Sequence, residues 1–474
     1  MLQVIVYGLV FLASVVVCST VKNVMARQWA LLTGSYALYL TWTRWFAIVL
    51  VGSTLANYAF GNWLRKRPIW PRLSLGIAFN IGVLGAFKYL PELAASSSLP
   101  RWMLPLGLSF WTFQAISYLF DQYRGEELDP CLVEFALYMA FFPVTIAGPV
   151  CRMPDMLPQF RAARGGTQER ERGFSRIAMG VLMMQLGKML GQGILAGDGI
   201  NSGFDRLQQW GGLDVWCLAV GFGLQLFSDF AGYSHIAIGA AQMMGITVPE
   251  NFDRPFAADT PSIFWTRWHR SLSFWIRDYV FLPLAMMSRS VFWRNVVLVL
   301  SMALFGLWHK ASLLFVLWGC YHGVLLVVHR QVQQLEKKFD WTPQEPLWTA
   351  ISWSVTMALV SLGWVFFRAT SLAQAQQMLL AVVSLKTYSQ QYLSGSLYLL
   401  VLGLALGYAI VVWVAGLLRG YENRAEAPAG GVLALLVRRR WYWLPALYVL
   451  ILAAVLMVTL TQSATTAQFM YRAF

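Results

Sequence analysis

Long apolar runs separated by short basic links are the feature that most constrains this 474-residue chain. A helix needs about 20 mostly apolar residues to cross the hydrocarbon core of a bilayer. Runs of roughly that length lie at 2–17, 29–43, 45–62, 73–90, 102–120, 131–150, 177–197, 213–245, 293–308, 311–329, 348–367, 396–418 and 441–461. Because backbone polar groups in lipid must be satisfied within each segment, this pattern predicts an all-α, polytopic membrane protein.

The composition excludes a soluble or disordered chain. Charged residues make up 12% of the sequence, about half the share of an average soluble domain, and 58% of the residues are hydrophobic. That leaves too little polar surface for a water-facing shell and too much apolar surface for disorder. The net charge of +14 is concentrated in links between apolar runs, which is typical of a membrane protein and not of a nucleic-acid-binding face.

The distribution of Lys and Arg predicts which links face the cytoplasm, because cytoplasmic loops are enriched in these residues. Cation-rich links lie at 65–67, 152–176, 330–338 and 419–440, whereas links such as 198–212 contain fewer cations. For cation-rich and cation-poor links to alternate between the two sides of the membrane, run 131–150 must enter the membrane without crossing it. Its breaks at Pro143 and Pro149 favour such a re-entrant element, which leaves about twelve crossings.

One segment, residues 251–290, combines many ionisable groups with many aromatic rings. An ionisable group at the bilayer centre costs about 2.5–3.5 kcal/mol, so this segment is not predicted to span the membrane. We expect it to lie at the cytoplasmic interface or in a wet vestibule, where a water-soluble substrate would enter.

Histidine is the side chain best suited to proton transfer at neutral pH, and the chain contains only five. His269, His309 and His322 are close in sequence and flanked by aromatic residues. Taken singly, each is as well explained as a hydrogen-bonded packing residue. Three together beside a basic, aromatic segment favour a catalytic site.

A second polar cluster surrounds His235, within a long apolar run. Asp229 and Tyr233 are one helical turn apart there, so they could face one another and support the site. A structural hydrogen-bond network is the alternative interpretation for this cluster. The sequence contains no P-loop, no G-x-S-x-G and no cysteine–histidine metal spacing, so we expect a metal-free reaction with no bound cofactor.

Seven strings occur in order between residues 105 and 379. They are PLGLSFWTFQAISYLFDQYRG (105–125), FFPVTIAGPVCR (141–152), FSDFAGYSHIAIG (227–239), NFDRPF (251–256), FWTRWHRSLSFWIRDYVFLPL (264–284), GLWHKAS (306–312) and GWVFFRATSLAQAQQML (363–379). In this order they resemble the membrane-bound O-acyltransferase family, and in particular its bacterial branch of alginate O-acetyltransferase-like proteins. The teichoic-acid D-alanyl transfer proteins share the first half of the pattern.

The resemblance implies a ring of about 11–13 transmembrane or re-entrant helices around a central tunnel, which joins a cytoplasmic donor funnel to an outer acceptor pocket. The catalytic core would be 101–380, flanked by N-terminal helices (1–100) and C-terminal helices (381–474). By position in the family strings, His309 is the central histidine, His269 the second and His322 a further family-like position. Lys310 stands where the family usually has glycine; it could snorkel outward or disfavour a charged His309.

Together these observations predict a multi-pass acyltransferase of a bacterial inner membrane. It would move an acetyl group from cytoplasmic acetyl-CoA to hydroxyls of an extracytoplasmic polysaccharide or a periplasmic partner. The residues expected to bind the acyl donor are Arg254, Arg267, Arg270, Arg277 and Trp268. One alternative is D-alanyl-type transfer from an acidic carrier protein. A remote alternative is a transporter without covalent chemistry, although no internal repeat is evident.

Overall fold

The computed structural model describes residues 2–41, 44–90, 105–162, 166–194, 198–339, 346–422 and 440–460. Within these ranges the chain forms helices and connecting turns, with no strand. The predicted all-α class is confirmed.

The helices follow the predicted apolar runs closely. In chain order they are α1 (Leu2–Thr20), α2 (Val24–Leu40), α3 (Arg44–Lys66), α4 (Trp70–Leu84), α5 (Leu108–Tyr123), α6 (Leu132–Ala140), α7 (Phe142–Thr145), α8 (Met153–Ala162), α9 (Thr167–Gln192), α10 (Ile200–Asp205), α11 (Gly212–Met243), α12 (Pro261–Arg267), α13 (Arg270–Ile276), α14 (Leu282–Ala285), α15 (Val291–His309), α16 (Leu313–Lys338), α17 (Pro346–Arg368), α18 (Leu372–Val383), α19 (Gly395–Glu422) and α20 (Arg440–Leu460). Single π-helical turns follow α4 and α13.

Five of the described helices are long and apolar enough to cross a membrane: α11, α15, α16, α17 and, in its part Gly395–Leu417, α19. Shorter apolar helices occur at Ile5–Thr20, Leu372–Val383 and Trp443–Ala453. The chain is therefore a polytopic membrane protein, and the count of 11–13 elements stays a prediction.

Two segments that were predicted not to span the membrane are divided into short helices. Run 131–150 contains the nine-residue helix α6 and the four-residue helix α7, with Pro143 in the first turn of α7. Segment 251–290 is divided into the short helices α12, α13 and α14. The ring of Trp265 is buried, whereas the side chain of Arg277 is exposed.

The chain folds as two compact units, the first of which comprises Met1–Ile177 and Tyr233–Glu250. Its apolar interior contains a few fully paired polar groups. Asn57 and Asn80 exchange hydrogen bonds between α3 and α4, with amide nitrogen to oxygen distances of 3.1 and 2.7 Å. Reciprocal pairing satisfies both amides, which a lone buried amide could not achieve.

The second unit comprises Ala178–Gly232 and Asn251–Phe474, so it contains His269, His309 and His322. Its defining contact is a hairpin of α15 and α16, whose backbones touch. A β-carbon built on Gly306 would lie 1.9 Å from the carbonyl oxygen of Phe315, and one on Gly319 would lie 2.1 Å from that of Met302. Only glycine allows this approach, as at other close helix crossings in membranes.

Candidate active site

His309 is the last residue of α15, and the α15–α16 hairpin fixes its position. The turn after it is short: the amide of Lys310 donates to the Gly306 carbonyl (3.4 Å), and the amide of Ser312 donates to the Lys310 carbonyl (2.8 Å). The imidazole of His309 is half-buried. The carbonyl end of a helix favours positive charge, so this position suits a group that accepts a proton.

Lys310 is compatible with the fold although the family usually has glycine there. Its backbone is extended (φ −154°, ψ 141°), a conformation open to any residue, and its side chain is exposed. This placement agrees with a lysine that snorkels outward.

An aromatic wall surrounds the His309 ring. The centroid distances from His309 are 4.7 Å to Trp308, 5.2 Å to Phe305, 5.2 Å to Phe367, 5.5 Å to Trp318 and 6.2 Å to Phe315. Phe305 stacks nearly parallel to the imidazole, at 22°, whereas Trp318 stands almost perpendicular to it, at 84°. These rings restrict the orientation of the half-buried imidazole.

His322 lies behind this wall, in the middle of α16. It is 1% exposed, and its ring lies 5.1 Å from Trp318 and 5.2 Å from Trp265. Its Nε2 has no hydrogen-bond partner among the described residues. A β-carbon on Gly363 of α17 would lie 2.6 Å from that nitrogen, so glycine at 363 makes room for the His322 ring.

His269 has a strained backbone, with a positive φ of 43° at the start of α13. Non-glycine residues in this region cost energy and persist where the surroundings impose them. Here Asn251 imposes it: its carbonyl accepts from the Arg270 amide (2.8 Å), and its side-chain oxygen accepts from the Ser271 hydroxyl (2.5 Å).

The His269 imidazole is buried, and its surroundings are apolar. Its centroid lies 4.5 Å from Phe230 and 6.3 Å from Phe305, and neither ring nitrogen has a hydrogen-bond partner among the described residues. Burial lowers its pKa to about 3, because the charged imidazolium would be desolvated. Phe305 is thus a neighbour of both imidazoles, since its ring also stacks on His309 at 5.2 Å.

The four candidate donor-binding arginines differ in how far their charge is already neutralised. Arg254 and Arg277 form ion pairs with their sequence neighbours, at 3.3 Å to Asp253 and 2.7 Å to Asp278.

Arg267 and Arg270 have no carboxylate partner within the described chain. Arg267 donates to the Ala257 carbonyl at 2.9 Å, and Arg270 lies over the ring of Phe274 with its Nε buried and unpaired. These two side chains are therefore the better placed to bind an anion. Trp268 is buried among aromatic rings, 5.0 Å from Trp364, and its donor-binding role stays a prediction.

The second polar cluster, around His235, has polar contacts of its own. In the first unit, Arg176 donates to Nδ1 of His235 (3.1 Å from Nη2) and pairs with Glu250, which is the structural network that the sequence offered as an alternative. No hydrogen bond joins Asp229 and Tyr233 in the described structure. The Asp229 carboxylate instead lies against α9, where a β-carbon on Gly187 would be 2.2 Å from its oxygen.

Several residues of the site were not predicted. Phe305, Trp318, Phe367 and Gly363 form the surroundings of His309 and His322. Two of them carried a signal in the spacing: Phe305 is four residues before His309, and Trp318 is four residues before His322, which places each pair on one helix face. Phe367 and Gly363 approach from α17, and no local pattern indicates that contact.

Comparison with known proteins identifies the family. Residues 101–367 match the model of MBOAT, the membrane-bound O-acyltransferase family, and this range contains all three clustered histidines. The chain belongs to this family and is an acyltransferase of the membrane.

Its relatives act on more than one polymer. The chain is 34% identical to the probable alginate O-acetylase AlgI of Pseudomonas aeruginosa over 76% of its own length and 71% of the relative's. It is 29% identical to a peptidoglycan O-acetyltransferase of Helicobacter pylori (81% and 79% covered). It is 31% identical to a teichoic acid D-alanyltransferase of Streptococcus thermophilus (59% and 68% covered).

Proposed function

We propose that this acyltransferase moves an acetyl group from cytoplasmic acetyl-CoA to hydroxyls of an extracytoplasmic polysaccharide, or to a periplasmic relay partner, in a bacterial inner membrane. The observation that carries the proposal is His309, held at the carbonyl end of α15 within a wall of aromatic rings. Two of the three relatives named above are O-acetyl-transferring proteins by name, which supports acetyl as the transferred group.

In the proposed reaction His309 accepts the proton of the attacking hydroxyl as its oxygen bonds to the thioester carbonyl carbon. The carbon–sulfur bond then breaks, and the proton passes from the imidazolium to the departing thiolate, so the products are an acetyl ester and free CoA. Trp318 packs against the His309 ring, and His322 packs against Trp318 in turn, so both side chains would limit the motion of the His309 imidazole. His269, whose ring neighbours Phe305 as that of His309 does, would assist near the donor.

The phosphates of acetyl-CoA require cations that are not already neutralised. Arg267 and Arg270 meet this requirement better than Arg254 and Arg277, which are ion-paired. The aromatic side chains that underlie the arginines suit the apolar part of a thin pantetheine arm. Arg267 and Arg270 are therefore the proposed donor-phosphate ligands.

D-alanyl-type transfer is the second candidate function, because one relative is named as a teichoic acid D-alanyltransferase. The two candidates require different donors, so the donor decides between them. The purified protein, reconstituted in liposomes, should convert labelled acetyl-CoA to free CoA and labelled product without any added carrier. Turnover that appears only with an acyl-loaded acidic carrier protein would replace the acetyl-CoA proposal with the D-alanyl-type one.

A further inference from the structure

A basic groove lies at the end of the α15–α16 hairpin that is remote from His309. It has a volume of about 510 Å³, within the range of small-molecule sites. Its walls are the start of α15, the last turns of α16, and the π-helical turn with α14. Arg294, in the first turn of α15, is fifteen residues from His309, so the groove and the candidate active site are roughly 22 Å apart along the helix.

One wall of the groove is polar and cationic. Arg330, Gln333, Gln334 and Lys337 recur at helical spacing on one face of α16, and Arg294 faces them from α15. None of the three cations forms an ion pair with a described residue, and Arg330 has only a long contact of 3.4 Å with the side chain of Asn295. The described lining contains no carboxylate, so these charges are available to an anion.

The other wall is apolar and open. Leu282, Met286 and Val291 line it, and they are 41%, 76% and 51% exposed. A small soluble anion would gain no binding energy from this apolar wall. An amphiphile can place a hydrocarbon chain along it. The groove therefore offers a charged site and an apolar track side by side.

We propose that this groove binds an anionic phospholipid, with the phosphate held by Arg294, Arg330 and Lys337 and the start of an acyl chain along Leu282, Met286 and Val291. Both helices are membrane-spanning candidates, so their ends lie where lipid headgroups are. The cation-rich stretch 330–338 forms the last turns of α16 and predicts a cytoplasmic position for this end of the helix. The cytoplasmic leaflet is the one rich in anionic lipid.

The test compares two charge-matched double variants of the full chain. Arg294→Gln with Lys337→Gln removes two groove cations, whereas Arg289→Gln with Lys338→Gln removes two exposed cations that do not line the groove. Delipidated protein is titrated with phosphatidylglycerol or phosphatidylcholine, and bound lipid is counted by native mass spectrometry. We expect the groove variant to lose affinity for phosphatidylglycerol by roughly tenfold or more, and the control to retain it.

A second pair probes the apolar wall without removing any cation. Met286→Glu places a negative charge in the groove, whereas Met287→Glu places one on an equally exposed neighbour (73%) outside the lining. Only Met286→Glu should weaken phosphatidylglycerol binding. Equal binding by both members of either pair would overturn the proposal. So would a groove variant that keeps phosphatidylglycerol but no longer binds CoA, because the phosphates would then be those of the donor.

Discussion

Gly306→Ala is the substitution that most sharply tests whether the α15–α16 contact positions His309. The new methyl carbon would lie 1.9 Å from the carbonyl oxygen of Phe315, whereas carbon and oxygen atoms normally approach to no less than about 3.3 Å. The two helices must therefore separate by about 1.4 Å at this point. His309 lies one turn further along α15 and would move with it.

The expected loss follows from that displacement. A misplacement of about 1 Å in a reacting group can lower a rate by about 100-fold, so we expect kcat for acetyl transfer to fall by roughly that factor. Forcing a methyl group into a packed contact should also cost about 1–3 kcal/mol of stability. Both are measured on monodisperse protein in detergent, the first as CoA release and the second as the thermal midpoint.

Gly403→Ala is the matched control, because it makes the same change within a membrane-spanning helix. A β-carbon on Gly403 meets nothing within 4 Å, and alanine is the better helix former by about 0.5–1 kcal/mol. This variant should keep full activity and an equal or higher thermal midpoint. If Gly306→Ala behaved like Gly403→Ala, the reasoning that ties His309 to the helix contact would be refuted.

Three further predictions concern the surroundings of the site. Arg270→Gln should raise the apparent KM for acetyl-CoA by roughly tenfold. Arg277→Gln removes a charge that is already paired with Asp278, so it should change the KM less. Equal effects on the KM would contradict the assignment of Arg270 as a donor-binding cation. Gly363→Ala should lower the thermal midpoint by crowding Nε2 of His322, and combining it with His322→Ala should cost less than the two changes added, as a double-mutant cycle would show. Because burial lowers the pKa of His269 to about 3 while the unfolded state protonates near 6.5, this residue alone should contribute a loss of about 1 kcal/mol of folding stability between pH 7 and 5.5, and His269→Gln should reduce the total loss by that amount.

The class of fold was predictable because lipid imposes a simple rule on the sequence. Apolar runs of spanning length became helices, as at α15, α16 and α17, and prolines marked the break between α6 and α7. The segment around Trp265 and Arg277 was correctly excluded from the spans by its charge. These features are local, so a single sequence is enough to reveal them.

The surroundings of the histidines were less predictable, because they depend on contacts between distant segments. His309 was a candidate by its residue type and its place in a family string, but nothing local indicated that Phe367 would lie beside it. The strain at His269 is visible only in the backbone, and its cause is Asn251, eighteen residues earlier. Ion pairing likewise separated Arg270 from Arg277, which appear equivalent in sequence.

The most direct test of the account compares two histidine variants in the reconstituted protein. His309→Gln removes the proposed proton acceptor, whereas His329→Gln makes the same change at a histidine whose Nδ1 lies 2.8 Å from the Ser262 hydroxyl, away from the cluster. Transfer of labelled acetyl from acetyl-CoA to cell-envelope polysaccharide should fall about 10²–10⁴-fold in His309→Gln and remain near normal in His329→Gln. Near-normal transfer by a properly folded His309→Gln protein would contradict the central claim.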